Sequence, residues 1–243
     1  MIGEIVSGNI YFNQNMLWYR DKDPKWTDME WMIRDWVNWC WLSGDHIVEQ
    51  HVHDIDLFNW FSHRKPVNCV GFGARQRRLT GDQYDMFSVD YVYEGGIHVH
   101  SMCRQMDGCT GGGVGERIQG TKGVWTDRGV ITDLQGNELW KYDSEKEKEE
   151  FQQTNDFTLE HVNWINHIRS NKLINHAEAT AISSLTAIMG RMSAYTGRLV
   201  TWEEVMGSDM DLMLPDLTFR NMDMTQFSVP VPGAAPGEKQ KRG

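Results

Sequence analysis

Long apolar runs are missing from this sequence of 243 residues. A helix that crosses a membrane needs about 20 predominantly apolar residues, and no stretch here approaches that length. No basic segment followed by an apolar run precedes Ile2, so we expect no signal peptide at this end of the sequence. The sequence therefore predicts a soluble cytoplasmic protein, with a periplasmic location as the alternative if a longer polypeptide carries an export signal.

Positive charge and paired cysteines are also scarce. The 24 Lys and Arg residues are outnumbered by 34 Asp and Glu residues, which gives a formal net charge of -10. Nucleic-acid binding demands a basic surface, so we expect no nucleic-acid partner. Cys40, Cys69, Cys103 and Cys109 lie too far apart for a C-x-x-C motif. We expect free, mostly buried thiols, which favours a reducing compartment.

A dinucleotide-binding turn is the most informative absence. A Rossmann domain needs a strand, a G-x-G-x-x-G turn, a helix and an acidic residue about 20 positions further on. Gly71 and Gly73 lead into a segment that has neither a third glycine nor a helical pattern. The glycines within residues 111–115 lead back into a turn. We therefore expect this chain alone to bind neither NAD nor NADP.

One segment, from Ser43 to Trp60, concentrates ionisable side chains. Its sequence is SGDHIVEQHVHDIDLFNW. If it forms a single helix, side chains three and four positions apart share one face. The polar residues of that face are His46, Glu49, Gln50, His53 and Asp56. The apolar stripe comprises Ile47, Val48, Ile55, Phe58 and Trp60, and we expect it to anchor the helix on a core. A polar cluster on a rigid element suits acid–base chemistry.

The motif GDHIVEQHVH, followed by Asp56, resembles the active-site helix of the Gfo/Idh/MocA oxidoreductases, the family of glucose-fructose oxidoreductase and inositol dehydrogenase. Three further segments look like parts of the same domain: residues 2–5 its first strand, residues 120–123 a late turn of its sheet, and residues 186–197 its closing helix. The family carries an acidic residue and a His four positions apart, then an Asp. These places fall on Glu49, His53 and Asp56. Many members have Asp where this chain has Glu49, so the reach here is longer by one methylene group.

The resemblance implies an α/β fold of the α+β type, with a large, open, mostly antiparallel sheet and helices packed on one face. Residues 1–206 would form the substrate-binding and oligomerisation domain, which is C-terminal in the family. Residues 207–243 would form an extended arm, and we expect about the last ten of them to be disordered. The family's Rossmann domain is absent from the sequence, so we expect it as a partner in cis or in trans.

Hydrophobic periodicity predicts the individual elements of this domain. We expect strands at 2–12, 67–76, 86–93, 96–105, 117–119, 123–126 and 129–132. We expect helices at 29–39, 158–170 and 176–196, besides the polar helix that ends near His63.

The resemblance also implies a mechanism. A secondary hydroxyl of a sugar or cyclic polyol would be oxidised with NAD or NADP, while a base takes the hydroxyl proton. His53 is the expected base. Glu49, one turn earlier, would orient it, share the proton or bind an adjacent hydroxyl. Asp56, one turn later, would support His53 without touching the substrate.

Four more side chains are candidates for holding the substrate. His46 and Gln50 would bind flanking hydroxyls, and Arg104 would reach into the same cleft from its strand. Trp18 belongs to a group of tryptophans that precede residue 61, and their rings suit the C–H faces of a pyranose.

Two other functions stay open. The chain could be a non-catalytic module that binds a carbohydrate or drives oligomerisation. It could also be a metal-dependent lyase, hydratase or isomerase in which His46, Glu49 and His53 hold a divalent ion. Large side chains alternate onto both sides of the strands at 87–93 and 97–102. We therefore expect a homodimer or tetramer that forms through the uncovered face of the sheet.

Overall fold

The structure, a computed structural model, describes residues 1–126, 129–152 and 154–234. The strands in these ranges are β1 (Ile5–Gln14), β2 (Pro66–Ala74), β3 (Met86–Tyr93), β4 (Ile97–Gln105), β5 (Gly113–Gly120), β6 (Gly123–Thr126), β7 (Val130–Asp133), β8 (Glu138–Lys141) and β9 (Val200–Thr201). The helices are α1 (Asp28–Arg34), α2 (Cys40–Ser43), α3 (His46–Glu49), α4 (Val52–Ser62), α5 (Ser144–Phe151), α6 (Asp156–Arg169), α7 (Ala177–Thr196) and α8 (Trp202–Met206).

The strands form one open sheet in the order β8-β7-β6-β5-β1-β4-β3-β2-β9. Among the described strands, β1 and β4 run parallel and the other neighbouring pairs are antiparallel. Tight turns explain much of this pattern, because short connections such as the one from β3 to β4 require antiparallel neighbours. The predicted fold class, a large and mostly antiparallel open sheet, is confirmed.

Helices cover one face of the sheet, and side-chain alternation along β4 shows which face it is. Val99, Ser101 and Cys103 are buried on the helix side. Helix α4 lies over β1, and α7 lies over β2. The close approach of α7 depends on Gly71, where a Cβ would lie 2.9 Å from the carbonyl oxygen of Gly190. The sequence thus allows a long helix to pack directly on the backbone of β2.

The opposite face, which we call the open face, is exposed over β2 and β3. Val70, Phe72 and Met86 present apolar side chains to solvent there. Polar pairs lie beside them, including His98 Nδ1 at 2.9 Å from an oxygen of Asp90. The expectation of sizeable side chains on both sides of these strands is confirmed.

Most predicted elements are present with shifted ends, but the helix expected at 29–39 is not continuous. Thr27 caps α1 by accepting a hydrogen bond from the backbone of Glu30. The helix ends at Arg34, and a short 3-10 turn follows at Trp36–Asn38. The carboxylate of Asp35 accepts hydrogen bonds from Asn38 and from the backbone of Arg20. Local side-chain bonding of this kind competes with the helical ladder, which explains the break.

The segment after α8 runs back along the domain. Met29 donates its N–H to the carbonyl of Arg220, and the hydroxyl of Tyr84 donates to the carbonyl of Pro230. These bonds tie the arm to α1 and to the loop before β3. The disorder expected at the end of the arm concerns residues 235–243 above all, which lie outside the described residues. Within the described ranges, no helix has both the length and the apolar character needed to cross a membrane.

Candidate active site

The segment predicted as one polar helix is broken in two. Helix α3 follows Asp45, whose φ of 77° is left-handed and whose carboxylate accepts the N–H of His46. At the break, the N–H of His51 donates to the carbonyl of His46 at 3.1 Å, a step of five residues instead of four. An extra residue in a helical turn rotates the following side chains by about 100°. The prediction that all the polar side chains share one face is therefore wrong.

Four of the predicted residues remain accessible, and we call them the outer set: Glu49, Gln50, His53 and Asp56. His53 and Asp56 are exposed, whereas Glu49 and Gln50 are half-buried. Glu49 Oε1 accepts a hydrogen bond from Gln50 Nε2 at 2.7 Å. Its other oxygen, Oε2, is buried and has no hydrogen-bond partner among the described residues. Because a buried carboxylate oxygen without a donor is unfavourable, Oε2 would gain a partner if the half-buried side chain turned towards a ligand hydroxyl.

Asp56 ties the outer set to α7. Its Oδ1 accepts the hydroxyl of Ser183 at 2.6 Å. Asn59, on the next turn of α4, donates to the same Ser183 at 3.1 Å and accepts the hydroxyl of Tyr93 at 2.6 Å. These bonds fix α4 against α7 and β3, so they also fix where its exposed side chains point. Support of His53 by Asp56 stays a prediction.

A second polar group lies behind the outer set, and the sequence pattern alone does not separate the two. We call it the inner network: Asp45, His46, His51, Asp54 and Ser101, each at most 2% exposed. His46 Nδ1 lies 3.0 Å from Asp45 Oδ1, and its ring packs on Phe87 with the centroids 5.1 Å apart. His46 therefore points into the core. The prediction that it binds a hydroxyl on the same face as His53 is wrong.

Asp45 is the charged centre of the inner network. Burial alone would raise its pKa, but hydrogen bonds and nearby charge from His46, Arg78 and Tyr195 lower the pKa below its usual value. Its Oδ2 accepts the hydroxyl of Tyr195 and the N–H of Tyr84. Asp45 therefore stays ionised and joins the start of α3 to α7 and to the loop before β3.

His51 is the other buried imidazole. Its Nε2 lies 2.6 Å from Ser101 Oγ, and its Nδ1 lies 3.6 Å from Asp54 Oδ2, an ion-pair contact too long for a hydrogen bond. Burial lowers the pKa of His51, and Asp54 opposes that shift in part. The order Ser–His–Asp resembles a hydrolase triad, but Ser101 is 1% exposed and out of reach of a substrate. The alternation along β4, which turns Ser101 towards the helices, is the sequence feature that could have revealed this network.

Two predicted substrate ligands lie elsewhere. Arg104 occupies an open-face position of β4, where its Nη2 donates to the carbonyl of Thr110 at 2.5 Å. The prediction that it reaches the cleft of His53 is wrong, because α4 lies on the other side of the sheet. Trp18 lies in the loop before α1, edge-on to Trp36 with the ring centroids 6.1 Å apart. A binding role for Trp18 stays a prediction.

The three candidate metal ligands, His46, Glu49 and His53, do not converge in the structure. Within the described ranges, no three His, Cys, Asp or Glu side chains are arranged to hold a metal ion. The candidate ligands Glu49 and His53 belong to the outer set, whereas His46 points into the core. The structure therefore does not bring these three residues together as ligands, and a metal-dependent lyase, hydratase or isomerase stays a prediction.

The described residues do not form a dinucleotide site either. The one parallel pair among the described strands, β1 and β4, is separated in the chain by β2 and β3 and is not a single βαβ unit. The glycine-rich stretch continues from Gly113 into β5 and presents no helix N-terminus to a phosphate. That this chain alone binds neither NAD nor NADP stays a prediction.

The four cysteines are free, as predicted. Cys40, Cys69 and Cys103 are buried, and Cys109 is partly exposed. Burial raises the pKa of Cys40 and of Cys69 to about 12, so neither thiol is a reactive nucleophile at neutral pH.

A groove of about 630 Å³ opens beside the outer set. Helix α4 forms one wall with Asp56 and Trp60, and the start of α7 forms the other with His176 and Thr180. Trp60 was expected in the apolar stripe, but it is 69% exposed. It follows the buried Phe58 by two residues, which places it about 200° around the helix. The two walls are distant in the sequence, so no local pattern revealed the groove.

The chain belongs to the Gfo/Idh/MocA oxidoreductase family. Residues 1–202 match the C-terminal alpha/beta domain of that family. This match confirms the resemblance drawn from the motif in α3 and α4.

Solved structures share the fold at low sequence identity. An oxidoreductase from Thermotoga maritima is 18% identical with a TM-score of 0.58, and the match covers 82% of this chain and 56% of that one. Myo-inositol 2-dehydrogenase from Lactobacillus plantarum is 17% identical with a TM-score of 0.53, and the match covers 82% of this chain and 57% of that one. A super-repressor mutant of Gal80p from Saccharomyces cerevisiae is 14% identical with a TM-score of 0.58, and the match covers 86% of this chain and 60% of that one. The chain thus spans between 56% and 60% of these three proteins. Comparison with curated proteins gives no match.

Proposed function

We propose that this chain is the substrate-binding and catalytic half of an oxidoreductase that uses NAD or NADP to oxidise a secondary hydroxyl of a sugar or cyclic polyol. Family membership supports the class of reaction. The observation that carries the proposal is the outer set, in which an accessible imidazole follows a carboxylate that has one unpartnered oxygen. Both lie on a segment whose inner side is fixed in the core.

In this mechanism His53 accepts the proton of the reacting hydroxyl, since imidazole is the commonest general base in enzymes. The carboxylate of Glu49 turns outward and accepts the hydroxyl of a neighbouring carbon. Gln50, which donates to Glu49 Oε1, keeps that carboxylate beside His53. Asp56, itself held by Ser183, supports the turn that carries His53.

A polyol fits this site better than a monohydroxy compound. Glu49 and Gln50 offer adjacent carboxylate and amide groups, which can hold hydroxyls on neighbouring carbons. Trp60 exposes an aromatic face in the groove, and such faces pack against the C–H side of a sugar ring. Trp18 is a second candidate for that contact.

A Rossmann domain, joined in cis or bound in trans, would hold the nicotinamide, which would supply hydride acceptance. Calorimetric titration of the 243-residue chain alone with NAD and with NADP should therefore give no binding heat. A sub-millimolar Kd for either nucleotide would contradict the proposal. The free thiols favour a cytoplasmic setting for the pair.

The decisive test begins with the genome around the coding sequence. A dinucleotide-binding segment should be encoded in frame with this chain or in a neighbouring gene. Expressed together, the two halves should reduce NAD or NADP in the presence of myo-inositol or an aldose, measured by nicotinamide absorbance. Failure of the reconstituted protein on a panel of sugars and cyclic polyols would reject the proposed reaction.

We also propose that the chain self-associates through the open face. Val70, Phe72 and Met86 form an exposed apolar surface there, which soluble monomers seldom leave uncovered. Light scattering at micromolar concentrations should show a dimer or tetramer, and Phe72→Ser should shift it towards monomer. Trp60→Ser is the matched control, because Trp60 is equally exposed, at 69%, but lies on the helix side. A monomeric parent protein would count against this interface.

A further inference from the structure

Another groove, of about 500 Å³, is lined by the middle of α7 and by the start of the arm. Helix α7 contributes Leu185, Ile188 and Met192, which follow one another at steps of three and four and therefore share one side of the helix. The arm contributes Leu212 and Met213. We call this space the arm groove. It shares no lining residue with the groove beside the outer set.

Arg191 is the one cationic side chain among the described residues that line the arm groove, and it is 4% exposed. Its Nη1 donates to the carbonyl of Gly44 at 2.9 Å. Its Nη2 lies 3.7 Å from Met210 Sδ, and a thioether sulfur is only a weak acceptor. Within the described ranges, no carboxylate lies within 4.0 Å of this guanidinium. The groove therefore contains a buried cation without an ionic partner, which is costly for a folded protein.

Two acidic side chains are candidates for that missing partner, and neither is bonded to Arg191. Asp45 is bonded to His46 and Tyr195. Asp211 lines the groove from the arm, where its Oδ1 accepts the N–H of Met213 at 2.8 Å. Because Asp211 is exposed, water and salt screen its charge, whereas the charge of the buried Arg191 is screened much less. The arm groove therefore favours an anion at its inner end.

We propose that the arm groove binds a small organic acid with an apolar body, of the kind that a medium-chain fatty acid represents. A carboxylate matches the planar fork of a guanidinium, so it can replace the weak contact of Nη2 with Met210. The apolar body packs along Leu185 and Ile188 on α7. A nucleotide fits less well, because several phosphate charges would meet a single cation.

The size and composition of the arm groove fit this ligand class. Small-molecule sites usually have volumes of about 300 to 1,000 Å³ and are mostly apolar, with a few polar groups that orient the ligand. The arm groove follows that plan with Arg191 as the orienting group. Residues 208–213, which line it, follow the part of the chain that matches the family, residues 1–202. The site is thus built in part from a segment outside the family domain.

The test is calorimetric titration of the 243-residue chain with three probes that share one apolar body: octanoate, 1-octanol and octylamine. Octanoate should bind with a sub-millimolar Kd. Octanol, which lacks the charge, should bind at least about tenfold more weakly, a difference of about 1.4 kcal/mol. Octylamine, which carries the wrong charge, should not bind. Octanoate should also raise the melting temperature of the chain, because it binds the folded state alone.

Three variants locate the site. Arg191→Met removes the charge at similar length and should weaken octanoate at least about tenfold while leaving octanol unchanged. Ile188→Trp fills the groove without touching Arg191, and it should weaken both probes. Leu173→Ser is the control, because Leu173 is 91% exposed and does not line the groove. An unchanged Kd for octanoate in Leu173→Ser separates the groove from general binding to exposed apolar surface.

Several results would overturn the inference: no binding of octanoate to the parent chain, equal affinity for octanoate and octanol, or an affinity for octanoate that Ile188→Trp leaves unchanged. If Arg191 serves only to hold the carbonyl of Gly44, Arg191→Met should lower the melting temperature, and octanoate should leave that of the parent unchanged. This pair of results also overturns the inference. If Arg191→Met does not fold, the three probes on the parent and on Ile188→Trp still decide.

Discussion

The inner network and the outer set lie on one short segment, yet their environments are opposite. The inner residues are buried and bonded to each other and to three other elements, as Asp45 shows with its bonds to Tyr84 and Tyr195. The outer residues have few bonds, and Glu49 keeps one buried oxygen without a donor among the described residues. Within one segment, the same residue types therefore stabilise the fold on one side and remain available for a ligand on the other.

The helix break makes this division possible. In a continuous helix, His46 and His53 would lie two turns apart on the same side. With the five-residue step, His46 and His51 turn inward together, and His53 is left outside. Inner substitutions should therefore change stability, and outer substitutions should change turnover. Four experiments test that contrast.

The largest effect is expected at Asp45. Asp45→Ala removes the carboxylate that bonds the ring of His46 and the hydroxyl of Tyr195, so both groups are left unpaired in the core. The free energy of unfolding should fall by about 3 to 5 kcal/mol. Urea denaturation measures it. Asp45→Gly tolerates the left-handed φ and should lose nearly as much, which separates lost bonding from backbone strain. Asp56→Ala, on the exposed side, should lose less than about 1 kcal/mol; equal losses at both sites would end the distinction.

The next effect concerns turnover. In the protein reconstituted with the proposed Rossmann domain, His53→Ala should lower kcat about a hundredfold, the usual scale for loss of a general base. Its melting temperature should stay close to that of the parent, because the side chain is exposed. His98→Ala is the control, since His98 is also exposed but lies on the open face. Unchanged kcat in His53→Ala would remove His53 from the mechanism.

A smaller effect is expected from two matched Ser–His pairs. Ser101 bonds His51 at 2.6 Å in the core, whereas Ser88 bonds His100 at 2.9 Å on the open face. Ser101→Ala leaves a buried ring nitrogen unpaired and should cost about 1 to 3 kcal/mol. Ser88→Ala should cost little, because water replaces the lost hydroxyl. Chemical denaturation measures the free energy of unfolding of both variants. If Ser101→Ala leaves that free energy unchanged, the bond between Ser101 and His51 does not stabilise the break between α3 and α4.

Most strands of the sheet, helices α6 and α7 and the family followed from the sequence, because alternation, periodicity and the α3–α4 motif are local patterns. Strand β8 and helix α5 did not. The position of His46 did not follow from the sequence, because it depends on one extra residue in a helical turn. Such an insertion has a small energetic cost and leaves no strong signature in the amino-acid composition. Arg104 was placed wrongly for a simpler reason. Its odd or even place along β4 decides its face, and that parity is visible only against a known buried neighbour such as Ser101. The groove could not be predicted from local patterns, because its two walls come from segments that are distant in the sequence.

The last prediction concerns pH and the buried His51. Its pKa in the folded protein is lowered from the ordinary value of 6.5, first by burial. At pH values between the folded pKa and the ordinary pKa of 6.5, the unfolded chain binds more protons than the folded one. The free energy of unfolding therefore rises with pH in that range. The contribution is complete above pH 6.5 and is lost as the pH falls towards the folded pKa, with a slope of at most about 1.4 kcal/mol per pH unit. Urea unfolding of the parent should show this slope just below pH 6.5. His51→Gln, which can keep a bond to Ser101 but does not titrate, should flatten it. The exposed control His98→Gln should retain the slope of the parent, and a slope that survives in His51→Gln would assign the titration to another group.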